Sequence, residues 1–228
     1  MALEVLYEDN HLLVVNKPAG VLSQGDKTGD ACIADIAKLY VKEKYSKPGE
    51  VFMGVAHRID RPVSGALVLA RTSKALSRLN EIFRTREVEK TYWAVVETKP
   101  ELEANTLVHW LKKNEAKNTT HAYLLERPDA QRSELSYRYL GSSDRYHLLE
   151  VSPITGRHHQ IRVQLAAIGC IIKGDLKYGA KRSNSNGSIH LHARQISFVH
   201  PVKKERLEIT APVPQEAVWQ FFESMKTT

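Results

Sequence analysis

Apolar residues in this chain gather into short runs separated by polar turns, and the period of the pattern changes several times. Val5 to Tyr7 and Leu12 to Val15 flank the turn-prone Glu8-Asp9-Asn10, which predicts a β-hairpin, and Lys17-Pro18-Ala19-Gly20 ends its second strand. The period then becomes helical. Ile33, Ile36, Ala37 and Tyr40 fall on one face, predicting a helix that runs from a cap at Asp30 to about Tyr45, closed by Pro48-Gly49. Val51 to Ala56 reads as a strand, His57 to Gly65 as a polar turn, and Ala66 to Ala70 as a second, buried strand. Ser73 is expected to cap another helix, with Leu76, Leu79, Ile82 and Phe83 inward and Lys74, Arg78 and Arg84 outward.

In the second half, Thr91 to Val96 is aromatic and β-branched enough for a central strand. Several antiparallel strands are expected between Leu107 and Val151, with Ser136–Leu140 and Tyr146–Val151 joined at Gly141-Ser142-Ser143-Asp144. His159 to Ile168 reads as a helix ended by Gly169, with Ile161, Leu165 and Ile168 at helical spacing. Arg182 to Ser188 reads as a mobile surface loop. Strands at Ile189–Phe198 and Arg206–Thr210 and a terminal helix opened by Pro214 complete the pattern. With no internal repeat and no clean linker, a single domain over residues 1–228 is expected.

At 228 residues the chain is long enough to bury a proper core, and 42% hydrophobic with 26% charged residues is ordinary for a globular protein. No apolar stretch approaches the roughly 18 residues of a membrane span, and the N-terminus lacks a basic segment followed by an apolar one, so a cytoplasmic protein away from membranes is expected. Cys32 and Cys170 lie far apart among apolar neighbours and read as small buried hydrophobes. The net charge of +7 and pI near 9.3 admit nucleic acid as a partner. Lysines and arginines cluster at Lys112-Lys113 with Lys117, at Lys173, Lys177, Lys181 and Arg182, and at Lys203-Lys204 with Arg206. Charge alone also fits a plain solvated surface.

Most familiar catalytic patterns are missing. Val63-Ser64-Gly65 lacks the leading glycine of a nucleophile elbow, and no glycine-rich phosphate loop occurs. His158-His159 and His190-x-His192 bring imidazoles close without the spacing of a recognised metal set, so no metal is expected. The remaining concentration of polar residues in apolar surroundings is His57-Arg58-Ile59-Asp60-Arg61-Pro62-Val63-Ser64-Gly65. Asp60 sits there between two arginines, a setting that favours the ionised carboxylate. A turn-capping aspartate with Arg58 as a surface ion pair would give the same residues a structural role.

These residues also carry a resemblance. HRIDRPVSG resembles the His-Arg-Leu-Asp-x-x-Thr-Ser-Gly signature of the RluA family of pseudouridine synthases, in which the aspartate is the catalytic residue. NKPAGVL from Asn16, EKTYWAVV from Glu89, PITGRHHQIRVQLAAIG from Pro153 and HARQISFVHP from His192 resemble the family's other segments, in the family's order, over about residues 3–212. Val63 stands where the family usually has threonine, and Gln164 where histidine is common.

The resemblance implies an α+β protein with the pseudouridine synthase fold, a mixed and mainly antiparallel central sheet flanked by helices and loops. It implies isomerisation of uridine in structured RNA, rRNA or a tRNA stem-loop, with Asp60 as the catalytic carboxylate. Tyr92 would stack on the base, Arg162 would pair with Asp60, Arg58 would enter the gap left by a flipped nucleotide, and Arg157 would meet phosphate. No cofactor and no obligate protein partner are expected, and the family motifs fill the chain without space for an S4 domain. Two other readings remain: a catalytically inactive RNA-binding or RNA-chaperone protein of the same fold, and an aspartate-dependent nucleoside hydrolase, which would want a second carboxylate or a metal.

Overall fold

The computed structural model describes residues 3–26 and 29–225. They form two compact units, one of the described residues up to 90 with 193–213, the other of residues 91–192 with 214–225.

Continuous apolar runs mark the strands at the heart of the first unit. Leu12–Lys17 (β2) and Ser64–Ala70 (β4) are buried along almost their whole length, as LLVV and ALVLA require when a strand is covered on both faces. β2 pairs antiparallel with Val5–Glu8 (β1) and with β4, and Gly54–Val55 (β3) pairs with the end of β4. The Ala193–Val199 part of Leu191–Val199 (β10) neighbours β4, and Arg206–Thr210 (β11) pairs with β10. One face presents Leu12, Val14, Ala66, Val68, Ile196 and Phe198 to Ala75 and Leu79 of the helix Ser73–Arg84 (α2). The other helix of this unit, Ile33–Lys44 (α1), buries Ile33, Ala34, Ala37 and Val41.

Both expected caps are displaced. α1 begins after Cys32, whose side chain makes no capping bond, and Asp30 instead pairs with Arg61 at 2.7 Å. α2 is capped by Thr72, whose hydroxyl accepts from the Ala75 amide at 3.1 Å. Two oxygen-bearing residues stand side by side there, and backbone geometry selects the first. The strand expected over 51–56 shrinks to two residues because only Gly54 and Val55 meet β4.

In the second unit, Val88–Val96 (β5, from Thr91), His147–Pro153 (β9), Gln131–Ser142 (β8), Ala104–Asn114 (β6) and Thr119–Tyr123 (β7) follow one another as antiparallel neighbours. Here the pattern alternates: Leu107, His109 and Leu111 of β6 and Ser133, Leu135 and Tyr137 of β8 point inward. Helix Gln160–Ala167 (α3) lies by β6 and β7, and Ala217–Ser224 (α4) buries Trp219 and Phe222. Ile168, expected within this helix, lies beyond the end of α3 and is exposed. The histidines of His190-x-His192 both pack against Trp219, with centroids at 5.2 and 5.8 Å. The loop expected to be mobile is exposed at Arg182, Ser183 and Ser185 but tethered through Asn184, which donates to the Ser188 carbonyl and accepts from Lys173. Among the described residues no helix is long and apolar enough to cross a membrane.

Candidate active site

Asp60 lies on the loop between β3 and β4, partly exposed, and the loop is held at every step by its own unit. At its start, His57 Nε2 accepts from the Val68 amide at 3.0 Å while the ring stacks on Phe83 at 4.5 Å. Burial, and then the Lys90 charge, push this imidazole down to about 3, so it is a neutral acceptor and no proton carrier at physiological pH. The hydroxyl of Ser23 clamps Ile59 from both sides, donating to its carbonyl at 2.7 Å and accepting from its amide at 3.2 Å. Past Asp60, the Arg61 carbonyl accepts from the Gly20 amide at 2.7 Å, and Arg61 Nε donates to the Gly20 carbonyl at 2.9 Å. The Val63 amide closes a turn onto the Asp60 carbonyl at 3.0 Å. Both neighbours of Asp60 are thus bonded to the segment that follows β2, which explains why NKPAGVL and HRIDRPVSG belong together.

Lys17 completes the junction. Its side chain is wholly buried, and Nζ donates to the carbonyls of Pro18 at 2.9 Å, Val21 at 2.7 Å and Arg61 at 3.4 Å. Burial lowers its pKa to about 7, the Asp60 carboxylate opposes that fall, and Arg61 adds to it. The sequence motif contains Lys17, but nothing in its spacing shows that its ammonium turns back into its own loop. Lys17→Met would take the donor from the Pro18 and Val21 carbonyls and leave the Arg61 carbonyl with the Gly20 amide alone, and a destabilisation of about 2–4 kcal/mol is expected, with turnover reduced because Arg61 and hence the Asp60 turn lose an anchor. Urea denaturation together with a rate measurement checks this; a variant as stable and as fast as the parent would rule it out.

Tyr92, Arg157 and Arg162 belong to the second unit. Tyr92 stands opposite Val151 on β9 and is partly exposed, whereas its neighbour Trp93 is the buried aromatic of β5. The Thr-Gly-Arg turn before α3 folds around Gln160, whose Oε1 accepts from Thr155 Oγ1 at 2.8 Å and from the Arg157 amide at 2.9 Å, while its Nε2 donates to the Glu134 carbonyl. Arg157 is left exposed by this turn, and Arg58 is exposed on its own loop. His159 enters α3 in the left-handed conformation with φ of 52°. Arg162 is buried, and its Nε and Nη2 donate to the two carboxylate oxygens of Asp175 at 2.7 and 2.8 Å. Gln164 faces the sheet and donates to the Leu107 carbonyl at 3.2 Å, so its departure from the family's histidine falls in the core. Sequence reasoning assigned nothing to Lys17, Ser23, Asp175 or Gln160; only the residue types around them were informative. Among the described residues no group of three His, Cys, Asp or Glu side chains is placed to hold a metal ion.

Acid should loosen this structure. The pKa of His190 is lowered to about 3, by burial and then by Lys173, and that of His57 to about 3. Below pH ~6.5 the unfolded chain takes up protons that the folded histidines refuse, so stability falls by up to about 1.4 kcal/mol per pH unit for each as pH drops towards 4. His190→Phe, which keeps a ring on Trp219, is expected to flatten the fall of melting temperature with acid; an unchanged slope would refute the assignment.

A family model described as RNA pseudouridylate synthase matches residues 11–167. The chain belongs to this family. The match runs through the Asp60 loop, Tyr92 and α3, the segments whose resemblance the sequence displays. Among curated members of the family, the ribosomal large subunit pseudouridine synthase C of Vibrio cholerae is 34% identical over 92% of this chain and 65% of its own length. The ribosomal large subunit pseudouridine synthase D of Zymomonas mobilis is 30% identical over 94% of this chain and 70% of its own. The chain thus spans about two thirds of the length of these relatives. Among solved structures, Human RNA Pseudouridylate Synthase Domain Containing 4 superposes with a TM-score of 0.78 at 28% identity, covering 98% of this chain and 92% of that one. Human RNA Pseudouridylate Synthase Domain Containing 1, at 22% identity and a TM-score of 0.68, shares the fold. The α+β pseudouridine synthase fold expected from the sequence is therefore the one found.

Proposed function

We propose that this protein is an RNA pseudouridine synthase whose two units work as one catalytic domain on a uridine of ribosomal RNA in the cytoplasm. The observation that carries this reading is the Asp60 loop: a carboxylate whose two chain neighbours are each bonded to the Lys17–Ser23 segment, inside the stretch matched by the family model. The names of the relatives favour large-subunit rRNA over tRNA as the substrate.

Isomerisation breaks the bond from C1′ to N1, turns the uracil and joins C1′ to C5, with no redox change and no group donated. A stacked uracil cannot turn, so the nucleotide is flipped out at a cost of a few kcal/mol. Stacking on Tyr92 offsets roughly 1–3 kcal/mol of that cost, and Arg58 fills the vacated position. Asp60 acts as an anion, by attack at C1′ or by taking a proton from the sugar. Arg162 supplies the counter-charge, and exposed Arg157 with Lys173 and Lys177 meets phosphates.

The test is to map pseudouridines in total RNA from cells with and without the gene. A position in large-subunit rRNA should lose its pseudouridine in the deleted cells and regain it with the parent gene, but not with Asp60→Ala. Identical maps would end the reading, and release of free uracil would replace it with a hydrolase.

A further inference from the structure

The turn that follows α3 in space, Gly174 to Gly179, carries a second acidic residue that no motif singled out. Asp175 is 1% exposed and Arg162 4%, and their pairing is side-on: Nε to Oδ2 and Nη2 to Oδ1. Such a fork uses one edge of the guanidinium and fixes its plane, so that a further anion can be met only along the edge formed by Nη1 and the outer N–H of Nη2. Below the plane lies Tyr178, its ring centroid 5.1 Å from Arg162 Cζ. The Tyr178 hydroxyl is itself held, sharing a hydrogen bond with His159 Nδ1 at 2.8 Å and accepting from the Thr120 amide at 2.9 Å.

Asp175 is no freer than the arginine it holds. Its amide donates to the Ile172 carbonyl, and its own carbonyl accepts from the amides of Tyr178 and Ala180 at 3.0 and 3.1 Å. Gly174 has φ of 86°, and a Cβ there would come within 2.7 Å of Asn184 Nδ2, so the turn is packed under the tethered 182–188 loop. A carboxylate fixed by its backbone, a guanidinium fixed by that carboxylate and an aromatic face beneath are the supporting arrangement that pre-organised sites need.

We infer that Asp175 is a positioning residue for the isomerisation: with the Tyr178 ring against the guanidinium, it sets which edge Arg162 presents to the reacting anion. The inference rests on the reading of Arg162 as an active-site residue. Asp175 touches neither RNA nor base and acts through Arg162.

Three variants test it: Asp175→Asn, Arg162→Met and the pair together, each assayed for melting temperature, RNA affinity and single-turnover pseudouridine formation in total RNA from cells lacking the gene. Asp175→Asn should keep its affinity within about twofold and lose roughly 10- to 100-fold in rate, the effect of a small misplacement of a reacting group. Arg162→Met should lose at least as much, and the double variant no more than Arg162→Met alone. A multiplied loss in the double variant would mean that Asp175 acts elsewhere, and full rate in Asp175→Asn beside a slow Arg162→Met would show that the pair does not position. A full rate in Arg162→Met, or an inactive parent, would remove the reading beneath the inference and the inference with it. Should Asp175→Asn fail to fold, Asp175→Glu carries the same test. It keeps both charges but lengthens the arm by a methylene, so a folded Asp175→Glu should remain slow, and parental rate there would overturn the inference.

Discussion

Asp60→Ala is expected to abolish pseudouridine formation, with a loss on the order of 10⁴-fold or more, while leaving the fold and most RNA affinity intact. The loop is anchored through groups that alanine retains. Ser23 holds the backbone of Ile59, Gly20 and Lys17 hold that of Arg61, and the Asp60 carbonyl, not its carboxylate, closes the turn with Val63. Affinity is expected to rest mainly on phosphate contacts by basic residues elsewhere and so to remain steeply salt-dependent. Single-turnover rates with the same RNA, beside melting curves of both proteins, measure it. Asp60→Asn, which keeps the shape and loses the charge, should be as inactive. Appreciable turnover by either variant would mean that the chemistry lies in another residue.

Gly65→Ala should damage the molecule through the backbone. Gly65, the second residue of β4, has φ of 119°, and a Cβ there would stand 2.3 Å from the Ala193 carbonyl oxygen and 2.6 Å from its nitrogen. Both are backbone atoms of the same unit, so neither can swing aside as a flexible side chain would. The cost is expected on the order of 3–5 kcal/mol, enough to unfold many domains of this size, and shifted strands would carry the Asp60 loop with them. Gly187→Ala is the control, since its φ of 70° imposes strain but nothing lies within 4 Å of the added carbon. It should cost only about 1–2 kcal/mol. Equal denaturation midpoints for the two variants would contradict the steric account.

Much of this was legible in the chain. The unbroken runs LLVV and ALVLA mark strands covered on both faces, and the three- and four-residue spacing in α1 and α2 marks helices with one buried side, because burial follows the period of the backbone. HRIDRPVSG is conspicuous for similarly local reasons: charged residues between two apolar strands must serve a turn or a site. The element ends were less legible. Thr72 and Ser73 are chemically equivalent as caps, and only the extended backbone at Thr72, with φ of −139°, makes it the cap.

What the tertiary structure alone decided is which distant polar groups meet. Ser23 and Ile59 are 36 positions apart, Lys17 and Arg61 are 44 apart, and Arg162 and Asp175 are joined across the end of a helix and a turn. No periodicity relates such pairs, since each depends on how whole strands and loops are brought together. An isolated lysine or serine in a loop looks like any solvated residue until its partners are known. Local composition thus determined the elements and the position of the acidic loop, and the meeting of residues remote in sequence determined how firmly Asp60 and Arg162 are held.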